Sequence, residues 1–175
     1  NKNSFFITDF NITDGYKSKT TNKKNSLIHL FAKYDANLDF ENFIESSLNI
    51  SIQKVNNDTY LKIFDTNIVD TELKPKNFDT LTSDIELSLE HEKFALNTGL
   101  TSYEDLSKSN SDRYQFVLPY YNFSKSFFDE NNFGSFNFLS QGDNILKDTN
   151  SLRSRMINNL NIQSYDFTTK NGFKN

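Results

Sequence analysis

Two histidines, His29 and His91, are the only imidazoles in the chain, and neither has a histidine or carboxylate partner at metal-ligand spacing. A metal-assisted or triad-type site needs such partners to hold the ion or orient the base. Their absence leaves His29 as a residue of a wet strand face and His91 as a turn residue. Four acids, Asp58, Asp65, Asp70 and Glu72, crowd one stretch. Carboxylates suit Ca²⁺, but the glycine-centred spacing of an EF-hand loop is missing, so the expectation is a solvated loop. There is no Ser-His-Asp order and no glycine-rich phosphate loop. With no cysteine, disulfides and thiolate sites are excluded as well. Sequons at Asn11, Asn49, Asn57 and Asn122 read as chance in a chain so rich in Asn, Ser and Thr. The remaining chemical capacity is charge. Arg153 and Arg155 stand two apart, on one face of an extended segment, where guanidinium forks suit either phosphorylated sugars or neighbouring carboxylates. These residues point to no enzyme, no cofactor and no metal.

The elements that position such side chains are strands. From Ser26 to Asp39 the chain alternates without a break. Ile28, Leu30, Ala32, Tyr34 and Ala36 fall on one face, and His29, Phe31, Lys33, Asp35 and Asn37 on the other. Seven further segments alternate: FFITDFNIT, FIESSLNISIQKV, TLTSDIELSLE, KFALNTGLTSY, DRYQFVLPYYNFSKSF, GSFNFLSQG and SLRSRMINNLNIQSYDF. DRYQFVLPYYNFSKSF sets Tyr114, Phe116, Leu118 and Tyr120 opposite Arg113 and Gln115, with Pro119 read as a local bulge. The polar faces collect His29, Lys33, Asp35, Glu45, Asn49, Gln53, Glu86, Arg113, Gln115, Arg153 and Arg155. The opposite faces carry Ile28, Leu30, Leu48, Ile50 and Ile85, among others.

Only 35% of the 175 residues are hydrophobic, yet 18 are Phe and 8 are Tyr, too aromatic for a disordered segment and too polar for an ordinary core. A net charge of −4 gives no basic footprint, which excludes nucleic acid as the expected partner. No apolar run reaches the roughly 18 residues of a membrane helix, which leaves a membrane barrel open. The segments are longer than the usual 5–6 residues of globular strands and match the roughly 9–11 of a tilted membrane-crossing strand. Short connections at FENF, HEK and FDENN alternate with longer ones at DGYKSKTTNKKN, residues 56–79, EDLSKSNS and DNILKDTN. That parity suits an up-and-down membrane barrel. The expectation is an all-β, antiparallel sheet of about eight strands, an open segment of a large transmembrane barrel. Residues 1–175 are then one partial domain, an internal piece of a longer chain. The polar-face residues would line the lumen, and Ile28, Leu30, Leu48, Ile50 and Ile85 would face membrane lipid. The same alternation also fits a soluble or surface-anchored β-sandwich that binds carbohydrate, with its charges facing solvent.

The runs SDRYQFVLPYYNFSKSF, FGSFNFLSQG and SLRSRMINNLNIQSYDF, with SSLNISIQKVNNDTYLKIFD, resemble the barrel of the LPS-assembly protein LptD (organic solvent tolerance) family. The resemblance runs from about Phe43 to the end and rests on strand text, not on a catalytic signature. It implies the bacterial outer membrane and a barrel that receives lipopolysaccharide from a periplasmic LptA-like bridge. It also implies an LptE-like plug lipoprotein and delivery of the glycolipid into the outer leaflet. A porin or receptor barrel for small solutes is the alternative within the same fold class.

Overall fold

The computed structural model describes residues 3–17, 24–129, 134–147, 151–164, 170 and 172. Eight strands form one antiparallel sheet in sequential order: β1 Ser4–Lys17, β2 Lys24–Asn37, β3 Glu45–Val55, β4 Thr80–His91, β5 Phe94–Asp105, β6 Tyr114–Asp129, β7 Gly134–Lys147 and β8 Ser151–Gln163. The sheet is open, with β1 and β8 at its edges. The shortest strand has 11 residues and the longest 16. No helix among the described residues is long and apolar enough to cross a membrane.

Residues directly opposite in an antiparallel ladder share a face, so the register sorts the whole sheet. One row runs Phe5, Asp35, Asn49, Glu86, Gly99, Tyr120, Asp143, Arg155 through all eight strands. The row beside it, on the other face, runs Ser4, Ala36, Leu48, Leu87, Thr98, Tyr121, Gly142, Met156, with no charge. Ile28, Leu30, Leu48, Ile50 and Ile85 all lie on this second, apolar face. No second layer covers it among the described residues. Phe10, Ile52 and Leu160 are 56%, 42% and 60% exposed, values a sandwich core would not show.

The strands run further than alternation suggests. Asp14 to Lys17 belongs to β1, because a bulge between Thr13 and Tyr16 carries the ladder past an Asp-Gly pair that reads as a turn. Asp143 to Lys147 belongs to β7, so the last connection shrinks to 148–150. The strict short-long parity therefore does not hold at either end of the chain. It survives in the middle, where 56–79 and 106–113 are long and 92–93 is tight.

Pro119 does sit in a bulge, and the bulge changes a face. The β5–β6 register shifts between Gly99 and Thr101, and the β6–β7 register between Val117 and Tyr120. Tyr120 is thereby turned onto the polar face, away from Tyr114 and Phe116. Tyr121 and Phe123 resume the apolar face in its place.

The small hydrophobic core covers the polar face of β2 and β3 and wraps the end of β4, where Leu81, on the apolar face by register, joins it. Leu27 and Phe31 of β2 and Val55 of β3 pack with Tyr60, Leu61, Ile68 and Leu73 of the β3–β4 connection, with Leu81 and Leu106, and against Ile7 and Phe64. That connection contains a short helix, α1, Tyr60–Phe64, and a single 3₁₀ turn, Asp65–Asn67. The β3–β4 ladder ends at Ser51 and Asp84, and the connection fills the space beyond.

Candidate functional site

His29 is where the sequence reading and the structure part most clearly. On a wet face it would be solvated; it is instead 2% exposed. Its ring stacks on Phe31 with centroids 4.6 Å apart, and Nδ1 lies 2.7 Å from the Tyr60 hydroxyl. Nε2 is 3.1 Å from Asp9 Oδ1, an ion-pair distance, but it lacks hydrogen-bond alignment. Burial, with the nearby Asp9 carboxylate, raises the Tyr60 phenol above its ordinary range, so Tyr60 is a neutral group at this contact.

The docked connection is clamped from several strands. Asn56 accepts from the Ile28 N–H at 2.8 Å and donates to Ser26 O at 2.9 Å. Lys33 Nζ reaches Glu72 at 2.9 Å and Asp35 at 3.1 Å. Gln53 lies where the ladder opens. Its Oε1 accepts from the Thr82 N–H at 3.0 Å, and its Nε2 donates to Leu73 O at 3.4 Å. Within the connection Lys74 pairs with Asp65 at 2.7 Å, and Lys62 pairs with Asp79 at 2.6 Å. The acids Asp58, Asp65 and Glu72 each take an ion-pair partner yet stay solvated, their side chains 56%, 39% and 53% exposed, and Asp70 is exposed too, as expected of a solvated loop. No group of three potential His or carboxylate metal ligands occurs among the described residues.

Arg113 is also placed differently. It ends a 3₁₀ turn, Asn110–Arg113, before β6 begins, so no ladder orients it toward open solvent. Its Nη1 is 2.7 Å from Asp58 and its Nε 2.7 Å from Glu104. Glu104, 5% exposed, also takes Lys54 at 2.7 Å and the Tyr114 hydroxyl at 3.1 Å. Burial disfavours the Arg113 cation, but the hydrogen bonds it donates to Asp58 and Glu104 outweigh that and raise its pKa further. Removing either partner of such a cluster leaves a charge short of water and of a mate.

Away from the docked connection the polar face is open. Tyr120 crosses Gly99 to donate to Glu86 at 2.8 Å. A Cβ on Gly99 would stand 2.6 Å from the Tyr120 oxygen, so the glycine is what lets the ring lie there. Arg155 forks onto Asp143 at 2.6 and 2.9 Å, while Arg153, opposite Ile145, has no ion pair among the described residues. Asn49 faces Glu86, and Gln115 faces Lys147. Glu45 stands opposite Glu90 at the tight-turn end, beside a groove of about 320 Å³ that Ser88, Asn97 and Asn122 also line. The polar face is therefore acidic along β3 and β4 and basic along β8.

The apolar face has an order of its own. Aromatic rings run across its tight-turn end: Phe40 to Phe43 at 6.3 Å, Phe43 to Phe94 at 6.0 Å, Phe94 to Phe123 at 6.0 Å and Phe123 to Phe138 at 6.3 Å. His91, expected in a turn, is instead the last residue of β4, paired with Phe94 in the ladder and stacked on its ring at 4.9 Å. Neither this ribbon nor the docked core is evident from single-strand patterns. The core left one signal: Tyr60, Leu61, Phe64 and Ile68 recur at helical spacing within an acid-rich stretch. Comparison with protein-family models, with curated proteins and with solved structures finds no match to this chain.

Proposed function

We propose that this chain is part of the wall of an outer-membrane β-barrel that carries lipopolysaccharide to the outer leaflet. The observation that supports it most is the apolar face, uncharged in its middle, exposed, and backed by a charged one. From Ile28 to Ala36 that face extends about 27 Å along β2 at ~3.4 Å per residue. A strand tilt of about 40° brings this to roughly 20 Å along a membrane normal, close to the ~25 Å apolar band of such barrels. Water would be a poor solvent for so large an apolar surface.

In this reading the polar face lines the interior, and the docked β3–β4 connection occupies part of it. The cargo is named by the resemblance of residues 43–175 to the LPS-assembly family. Its phosphorylated saccharide would meet hydroxyl and amide groups along the polar row and the cation of Arg153, while its acyl chains keep to the apolar side. The LptE-like plug and the LptA-like bridge belong to the same proposal. The test is depletion of the full-length protein in its host. Newly made lipopolysaccharide then stops reaching the surface and accumulates behind the outer membrane. Normal delivery with loss of small-solute uptake would instead make this a porin or receptor.

A further inference from the structure

The apolar face carries few charges, and they differ in kind. Lys54 and Glu104, near the long-connection end, pair with each other at 2.7 Å. Lys125, at the tight-turn end, has no carboxylate partner among the described residues. Its register neighbours on the two adjacent strands are Phe94 and Phe138, and its ammonium stands 4.5 Å over the ring of Phe127. An unpaired cation on an apolar face is costly in hydrocarbon, and a ring face offsets only part of that cost. The missing complement is an anion just above an aromatic layer.

Resting on the membrane reading above, we infer that the tight-turn end of the apolar face is seated at a phospholipid headgroup layer. The rings of Phe43, Phe94, Phe123 and Phe138 mark the boundary between acyl chains and headgroups, where aromatic girdles of barrels lie. The Lys125 ammonium then meets a lipid phosphate, its aliphatic stem lying along the rings. The charge complements phosphate, the rings complement the boundary, and the uncharged band beyond them complements the chains.

The experiment uses the full-length protein in vesicles of phosphatidylethanolamine and phosphatidylglycerol, with nitroxide labels at L87C or K125C. Depth is read from the ratio of oxygen to nickel-chelate relaxation. The expected result is a Leu87 label deep in hydrocarbon and a Lys125 label level with the phosphates. A deep Leu87 label with the Lys125 label in hydrocarbon or in bulk water overturns this inference alone. If the Leu87 label is also in water, the barrel reading falls with it. A Lys125 label that reaches phosphate depth only when lipopolysaccharide is added overturns the assignment to phospholipid. In unlabelled protein, K125E, a reversal of two charge units, should lower the preference for anionic over zwitterionic vesicles about thirtyfold, with K125R retaining it. Equal preference in K125E and the parent protein overturns the phosphate contact.

Discussion

Replacing Tyr60 by alanine should release the β3–β4 connection from the sheet while leaving the eight strands intact. Tyr60 is fully buried, its ring lies 4.9 Å from that of Phe64, and its hydroxyl is 2.7 Å from His29 Nδ1. Truncating a buried aromatic costs about 3–5 kcal/mol through lost contacts and the cavity left behind. Stranding the buried imidazole nitrogen adds about 1–3 kcal/mol. What holds the connection otherwise is Leu61, Ile68 and Leu73, each contributing about 1.5–3 kcal/mol by burial. Those gains are set against about 1–2 kcal/mol of backbone entropy for every residue ordered. The net docking energy is thus a few kcal/mol, and the substitution removes all of it. Tyr60→Phe keeps the ring and strands only the nitrogen. The assay is tryptic cleavage at Lys62 and Lys76 in the folded, micelle-bound barrel, which reports local opening when reclosing outpaces cutting. A loss of about 3 kcal/mol accelerates cleavage roughly a hundredfold, whereas Tyr60→Phe, if it costs the roughly 1 kcal/mol at the low end of a stranded nitrogen, accelerates it about fivefold. Parental cleavage rates in Tyr60→Ala would refute the claim that this residue pins the connection.

The two faces should respond differently to charge. Leu87→Arg on the apolar face should cost about 2–4 kcal/mol near the bilayer midplane, while replacing Arg153 and Arg155 together by alanine changes denaturant stability in lipid much less; equal effects would contradict the assignment. Gly99→Ala should destabilise by about 1–3 kcal/mol, because its Cβ overlaps both the Ile85 carbonyl oxygen and the Tyr120 hydroxyl and overpacking is unfavourable; an unchanged unfolding midpoint would refute this close approach. Cysteines at Lys108 and Glu92, in connections at opposite ends of the sheet, should label with an impermeant maleimide from opposite sides of the membrane. Labelling of both from outside intact cells would exclude a crossing by β5.

Much of the sheet is legible because its two faces differ. Wherever one is Phe, Leu or Ile and the other charged, as from Ile28 to Ala36, period two fixes strand and face together. Legibility fails where the backbone departs from that period. The bulge at Pro119 moves Tyr120 across the sheet, and no residue on either side of it announces a change of parity. Asp14-Gly15 and Asp143-Asn144 look like turns, yet ladder bonds come from backbone and tolerate them. Arg113 is one residue outside β6, where a ladder no longer sets its direction. For His29, Asp58 and Glu72 the contacts are illegible for a different reason. Their partners lie 31, 55 and 39 positions away; folding the β3–β4 connection back over the sheet brings Tyr60 to His29 and Glu72 to Lys33, and sets Asp58 against Arg113 of the β5–β6 connection.

The central claim is that one face of this sheet lies in lipid and the other in water. Single cysteines from Thr82 to Glu90 along β4, in the full-length protein reconstituted into vesicles, test it residue by residue with a water-soluble maleimide. Reaction is predicted at Asp84, Glu86 and Ser88 and protection at Ile85, Leu87 and Leu89, rising and falling with a period of two. Uniform reactivity, or protection of the even-numbered positions in place of the odd, would contradict the account.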